Sequence, residues 1–154
     1  MPTVLEDVMF GPKNFGFNDE LVRKNSIKAL EQVKMLQFKD KPPHHLSFGQ
    51  KRKVAIASVL ASEPELLVLD EPSSNLDPAS RRELIDILKN LEVSVILVTH
   101  DLPMALEICN RSIILNDGKI TADDETYRIL KNEKVMSDNR LELPFGFALH
   151  HLEE

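Results

Sequence analysis

The chain has 154 residues, 42% of them hydrophobic and 29% charged, which suits one globular domain with its own core. Nineteen basic against 25 acidic residues leave a net charge of −6. That balance argues against a broad nucleic-acid or anionic-lipid surface, since either needs a basic footprint.

Residues 3–18 read as a loop, because Gly11, Pro12 and Gly16 interrupt them. Asn18 then precedes Asp19 and Glu20, an N-cap followed by first-turn acids. Apolar positions at Leu21, Val22, Ile27, Leu30, Val33 and Leu36 predict a helix running to about Leu36. Pro42 and Pro43 lead to a second helix start, where Ser47 and Gln50 have capping-box spacing. Residues 54–61 are apolar on nearly every side, as in a buried helix. After Pro64 the pattern alternates between strands and helices. Residues 66–69 form a continuous apolar run ending at Asp70, which predicts a parallel strand covered on both faces.

Asp77 and Pro78 then start a helix whose inner face carries Leu84, Ile85, Leu88 and Leu91. Residues 93–98 form a second buried strand, ending at Thr99 and His100. Asp101 caps a short helix through Ile108, and residues 113–115 form a third strand. Asn116, Asp117 and Gly118 turn the chain into residues 119–121. This β-α-β-α-β order implies an α/β domain with a largely parallel sheet. The lone cysteine, Cys109, cannot form an internal disulfide, which fits a reducing, cytosolic setting, and its neighbours suggest a buried helical position. No apolar stretch approaches the roughly 18 residues of a spanning helix, and no signal peptide is visible. A link to a membrane would therefore run through a partner.

In open α/β sheets, ligands bind beyond the carboxyl ends of the strands. Two such ends carry Asp70-Glu71 and Thr99-His100. Asp70, fixed at a strand tip, can hold Mg²⁺ through water, and Glu71, one residue further out, can polarise an attacking water. Taken alone, the same acids could simply cap the next helix. Leu46-Ser47-Phe48-Gly49-Gln50 opens a helix whose first amides favour a phosphate. Gly49 allows close backbone approach there, and the Ser47 hydroxyl can donate. Lys51, Arg52 and Lys53 follow at the positive end of that helix, and a solvated face accounts for at least two of them. Ser74-Asn75-Leu76-Asp77 reads locally as a turn and an N-cap. His100 follows a strand beside that of Asp70, within reach of a γ-phosphate.

Taken in order, these four motifs resemble the signature, Walker B, D-loop and H-loop of the nucleotide-binding subunit of ABC transporters. The resemblance covers nearly the whole chain. It implies a partial P-loop NTPase of the ABC ATPase type: an α/β fold with a parallel sheet core and a helical signature subdomain. Three parts are expected: a helical subdomain over residues 1–62, an α/β core portion over 63–123 and a helical tail over 124–154. By the same resemblance Asp70 serves Mg²⁺, Glu71 is the catalytic carboxylate and His100 senses the γ-phosphate. Leu46, Ser47, Phe48, Gly49 and Gln50 would contact ATP held by the opposite subunit of a head-to-tail dimer. Ser74, Asn75, Leu76 and Asp77 would communicate between the two sites. Residues 3–12, Phe48 in place of the usual glycine, residues 51–57 and residues 141–144 look like the cobalt/nickel or energy-coupling-factor importer branch.

A phosphate-binding Walker A loop needs G-x-x-x-x-G-K-[ST] after a strand. Gly11 and Gly16 have the spacing, but Phe17 and Asn18 follow them and no strand precedes. The resemblance already runs at Pro2, so on this reading Met1 is expected to open the chain in mid-domain, with the Walker A part missing. Apolar sheet surface would then be left exposed, and the chain alone is expected neither to bind ATP tightly nor to fold stably. The leading reading is an ATP-hydrolysing subunit, or a fragment of one, at the cytoplasmic face of the membrane. It would use ATP and Mg²⁺ and drive solute import through a second ABC subunit and integral membrane subunits. Three alternatives stand beside it: a silent half-site offering its signature in trans, a non-transport ABC ATPase, and a wrongly started gene without separate function. The acidic balance and lack of long heptad repeats weigh against the non-transport form.

Overall fold

Helix α1 (Val4–Asn14) occupies the segment that glycine and proline marked as a loop. Thr3 and Glu6 form a capping box: Thr3 Oγ1 accepts from the Glu6 N–H at 3.2 Å, and Glu6 Oε2 accepts from the Thr3 N–H at 3.0 Å. Pro12 lies in the last turn, where its missing N–H costs a single helical bond. Gly16, at φ 80°, stops the helix by letting Phe17 and Gly16 donate back to the Pro12 and Lys13 carbonyls. Gly11 marks a close crossing with a later helix, since a Cβ there would lie 3.1 Å from the Ser58 carbonyl oxygen. The breakers thus punctuate a helix instead of excluding one.

Asn18 caps α2 (Asp19–Gln32), its side chain accepting from the Leu21 N–H at 2.8 Å. The helix stops at Gln32, short of the expected Leu36. Lys34 adopts φ 57°, and Met35 and Lys34 donate to the Leu30 and Glu31 carbonyls. Val33 and Met35 are fully buried in this turn, so their apolar spacing continues although the helix does not. Short 3₁₀ turns at Leu36–Phe38 and Pro43–His45 lead to α3 (Phe48–Leu60). Lys41 and Lys39 carbonyls in this stretch accept from the first amides of α1, those of Val4 and Leu5. The face of α3 carrying Val54, Ile56 and Ala57 is buried, but Val59 is exposed, so burial is not all round as expected. Helices α1, α2 and α3 pack on one another around Val4, Val8, Val22, Leu30 and Ala57.

The structure described here is a computed structural model covering residues 2–144, and it divides into two compact units at Val98 and Thr99. Besides the three helices, the first unit holds β1 (Leu66–Asp70), α4 (Pro78–Lys89) and β2 (Ser94–Val98). The strands pair in parallel, from Leu66 opposite Ser94 to Asp70 opposite Val98. Leu67 is buried, as are Leu84, Ile85, Ile87 and Leu88 of α4. The other face, carrying Leu66, Val68, Ile96 and Val98, is exposed. The expectation of a strand covered on both faces therefore fails, while that of exposed apolar sheet surface holds.

In the second unit, α5 (Leu102–Ile108) leads into a hairpin of β3 (Arg111–Asn116) and β4 (Lys119–Glu125). The third strand therefore pairs antiparallel in a sheet of its own, not in a parallel sheet as expected. Asp117 at φ 49° and Gly118 at φ 73° send the chain straight back, and so short a connection permits only antiparallel pairing. Cys109 caps α5 in extended backbone and is half-buried, instead of lying buried inside a helix. Its carbonyl accepts from the buried Thr126 hydroxyl at 2.6 Å, tying α5 to the start of α6 (Thr126–Lys131). Helix α7 (Glu133–Asp138) follows, and Asn139 beyond it accepts from the Thr121 hydroxyl at 2.7 Å. Residues 145–154 of the expected helical tail lie outside the described residues.

Candidate functional site

The C-terminal end of β1 is built from backbone outward. Asp70 continues the exposed alternation of Leu66 and Val68, so its carboxylate stands at the open end of the strand. Glu71 follows with φ 45°, a left-handed conformation that costs a non-glycine residue on the order of 1 kcal/mol. Its N–H donates to the Val98 carbonyl at 2.8 Å, which fixes the turn against the end of β2. Two tight turns follow, with Ser74 donating to the Glu71 carbonyl and Leu76 to that of Ser73, each at 3.2 Å. Asn75 also takes a left-handed φ of 61°. The Ser74 hydroxyl lies 3.5 Å from Glu71 Oε2. Asp77 then caps α4, accepting from the Ser80 N–H at 3.0 Å and the Ser80 hydroxyl at 2.6 Å. Those two bonds, the hydroxyl first, hold the Asp77 carboxyl below its ordinary range.

The segment Leu46 to Gln50 is anchored by buried Leu46 and exposed at Ser47 and Phe48. Ser47 Oγ accepts from the Gln50 N–H at 3.3 Å, and Gln50 Oε1 accepts from the Ser47 N–H at 2.9 Å. Ser47 thus keeps its hydroxyl proton to donate outward. The basic run behind it is not simply a solvated face. Lys51 is exposed, but the Arg52 guanidinium stacks 5.4 Å over the Phe48 ring and Lys53 Nζ meets Glu83 Oε2 at 2.8 Å.

Within the first unit these pieces converge. Helix α4 starts eight residues beyond Asp70, and the start of α3 touches that of α4, because Gly49 abuts Ser80 and Leu76. The carboxylates Asp70 and Glu71 and the starts of both helices therefore share one end of the unit. Mg²⁺ keeps several waters and takes one or two carboxylates plus phosphate oxygens. The exposed Asp70 carboxylate fits that donor set. A cleft of about 410 Å³, lined by Asn25, Lys28, Leu60, Pro64 and Leu91 among others, lies instead at the ends where α3 and α4 finish and β2 begins. His100 belongs to the second unit, in a tight turn whose carbonyl accepts from Leu102 at 3.0 Å, ahead of the Asp101 cap on α5. Ser80, Lys53 and Glu83 carry contacts that sequence reasoning did not single out. Only Ser80, three residues after the Asp77 cap, left a local signal.

Residues 5–107 match a family described as "AAA domain, putative AbiEii toxin, Type IV TA system". A parallel β-α-β unit with paired carboxylates at a strand end, matched in this way, defines an ATPase-type α/β domain. A "putative ABC transporter ATP-binding protein" of Streptomyces avermitilis is 61% identical over 147 residues, covering 96% of this chain and 56% of that protein. Among solved structures, cbiO1 from Clostridium perfringens, described as part of the ABC transporter complex cbiONQ, is 35% identical with TM-score 0.77. That match covers 92% of this chain and 58% of cbiO1. A dimeric, post-hydrolysis ATP-binding cassette, MJ0796 bound to ADP and Pi, is 30% identical with TM-score 0.67, covering 82% of this chain and 58% of that one. Relatives at 44%, 41% and 42% identity are energy-coupling factor transporter ATP-binding proteins. The chain belongs to the family of ABC transporter ATP-binding proteins, close to the energy-coupling-factor and CbiO type. Its fold is a partial ABC ATPase fold, mixed α/β, and the chain spans little more than half the length of the relatives it matches. Among the described residues no helix is long and apolar enough to cross a membrane.

Proposed function

We propose that the chain contributes the signature, Walker B, D-loop and H-loop part of an ATP-hydrolysing cassette that drives import. The observation that carries this reading is the shared end of the first unit. There a strand-end carboxylate pair stands beside a neutral, outward-donating helix start. Asp70 would hold Mg²⁺, which when bound would neutralise charge on the phosphate groups. Glu71, held by its N–H on Val98, orients the attacking water, and the family resemblance gives His100 the γ-phosphate-sensing role. Leu46 to Gln50 contact nucleotide held by a second cassette, with Ser47 donating, and Ser74 to Asp77 lie along the same interface. Membrane subunits supply the path for the solute, which places the assembly at the cytoplasmic face. The likeness to cbiO1 and to energy-coupling-factor proteins favours cobalt, nickel or a related importer substrate.

One experiment tests this. The full chain is mixed with a complete cassette of the same family whose own signature serine has been disabled, and Mg²⁺-dependent phosphate release is measured. Release above that of either component is expected, with Ser47→Ala abolishing it. Loss on Glu71→Gln as well shows that release also needs this chain's own carboxylate. Insensitivity to Glu71→Gln assigns it the trans half-site role. No release from the mixture overturns the proposal.

A further inference from the structure

The starts of α3 and α4 meet at a contact that the proposed chemistry leaves unused. A Cβ built on Gly49 would lie 2.9 Å from Ser80 Oγ, 3.1 Å from Ser80 Cβ and 3.7 Å from Leu76 Cδ2. Gly49 sits in the first turn of α3, where glycine is a poor helix former and an ordinary residue would serve the backbone better. The space beside it is filled by Ser80, so the glycine answers to a neighbouring helix of the same chain. Ser80 is itself held in place, its hydroxyl and N–H both donating to the Asp77 carboxylate at 2.6 and 3.0 Å. One turn along both helices, Lys53 Nζ meets Glu83 Oε2 at 2.8 Å. Residue 49 against 80 and residue 53 against 83 set α3 and α4 side by side and parallel.

We propose that Ser80 is a positioning residue that seats the signature loop on the D-loop of the same chain. Residues 46–50 and 74–77 then present one surface to a partner's nucleotide instead of two independent loops. The seating rests on this geometry alone, while its role in catalysis rests on the function proposed above.

The test is a reciprocal exchange of bulk between the two helices. Gly49→Ala adds a methyl group where Ser80 stands, Ser80→Ala removes the hydroxyl, and the double variant relieves the 2.9 Å contact with Ser80 Oγ while the 3.1 Å contact with its Cβ remains. Hydrogen exchange on the full chain reads the seating. Ser80→Ala is expected to speed exchange of the Gln50 and Lys51 amides, which belong to the other helix, by about fivefold or more. Gly49→Ala does the same at Ser80 and Arg81, and the double variant exchanges more slowly than the two single effects multiplied together, because one of the two close contacts is gone. Phosphate release in the mixed-cassette assay reads the positioning. Ser80→Ala is expected to lower kcat about tenfold with KM for ATP unchanged, as for a small misplacement remote from the chemistry.

If Gly49 is glycine only to admit a phosphate, Ser80→Ala is silent and the double variant stays as impaired as Gly49→Ala, which overturns the proposal. Coupled exchange with an unchanged kcat in Ser80→Ala overturns the positioning role. A parent mixture without phosphate release removes the functional reading, and the exchange data then decide the seating alone.

Discussion

Two neighbouring residues of β1 should respond in opposite ways to substitution. Leu67 is 3% exposed on the helix-covered face and Val68 is 59% exposed on the other. Leu67→Ala removes a buried side chain worth about 1.5–3 kcal/mol in transfer, and with the cavity left behind the expected loss is about 3 kcal/mol. Val68→Thr keeps the β-branched shape and changes only a solvated group, so its cost stays within about 0.5 kcal/mol. Leu66, Val68, Ile96 and Val98 are 48%, 59%, 49% and 51% exposed. About half of the transfer energy of four aliphatic side chains is thus unrealised in this chain, roughly 3–6 kcal/mol. That is comparable to the whole stability of a small domain and accounts for the expectation of a marginal fold. The assay is urea unfolding followed by far-UV circular dichroism, at a fixed osmolyte concentration that lifts every variant into a folded baseline. Midpoints are compared at unchanged slope. If Val68→Thr costs as much as Leu67→Ala, the face carrying Val68 is covered and the two-faced reading of the sheet is wrong.

Gly11→Ala should gain about 1 kcal/mol in helix propensity but lose more by overpacking, about 1–3 kcal/mol, against the Ser58 carbonyl 3.1 Å away. A net loss is expected in the same urea assay, and a gain would place α1 further from α3. Asp77 should titrate below its ordinary value of 3.8, because the Ser80 hydroxyl and N–H favour the carboxylate. A depressed folded-state pKa contributes stability that is present above the unfolded value and lost as pH falls through the folded one. A carboxyl NMR titration should therefore show a midpoint below 3.8 that rises in Ser80→Ala, and equal midpoints would refute the assignment. Burial pushes the Cys109 thiol upward, so alkylation at pH 8 should run several-fold slower than for a free thiol. A rate matching the free thiol contradicts its placement.

Local chemistry explains what the sequence made legible. The starts of α2, α3, α4 and α5 follow from Asn18, Ser47, Asp77 and Asp101, each of which accepts from a first-turn amide. The start of α1 was just as local, since Thr3 and Glu6 have capping-box spacing, but Gly11, Pro12 and Gly16 outweighed it. Breakers near a helix end carry little penalty, and Gly16 is the residue that ends it. Lys34 was illegible for the opposite reason, since nothing in a lysine announces φ 57°. The pairing of β3 was open to inference from Asp117-Gly118, a turn that fits a hairpin better than a crossover. The motif residues were visible because they end strands or begin helices. The contacts of Gly49 with Ser80 and of Lys53 with Glu83 span about 30 residues, and no local spacing encodes them.

Those lateral contacts bear on which helix start can meet a phosphate. Two parallel helices present adjacent N-termini, and dipoles alone would make both attractive to an anion. Their caps differ. At α4 the cap is Asp77, a carboxylate held ionised by Ser80, and a phosphate approaching it meets negative charge. At α3 the cap is Ser47, neutral, with one lone pair committed to the Gln50 N–H and its proton still to donate. Basic residues follow on α3, one of them drawn across to Glu83 and another stacked on Phe48, so the charge behind the α3 start is held in fixed positions. The acid at α4 therefore orients the serine that seats Gly49, while the α3 start is left as the one of the pair suited to nucleotide. Replacing Ser47 with aspartate would make the two caps alike. It should preserve the helix, because aspartate caps as well as serine, while abolishing phosphate release in the mixed-cassette assay. Retained release with an intact helix would show that the α3 start does not face the phosphates.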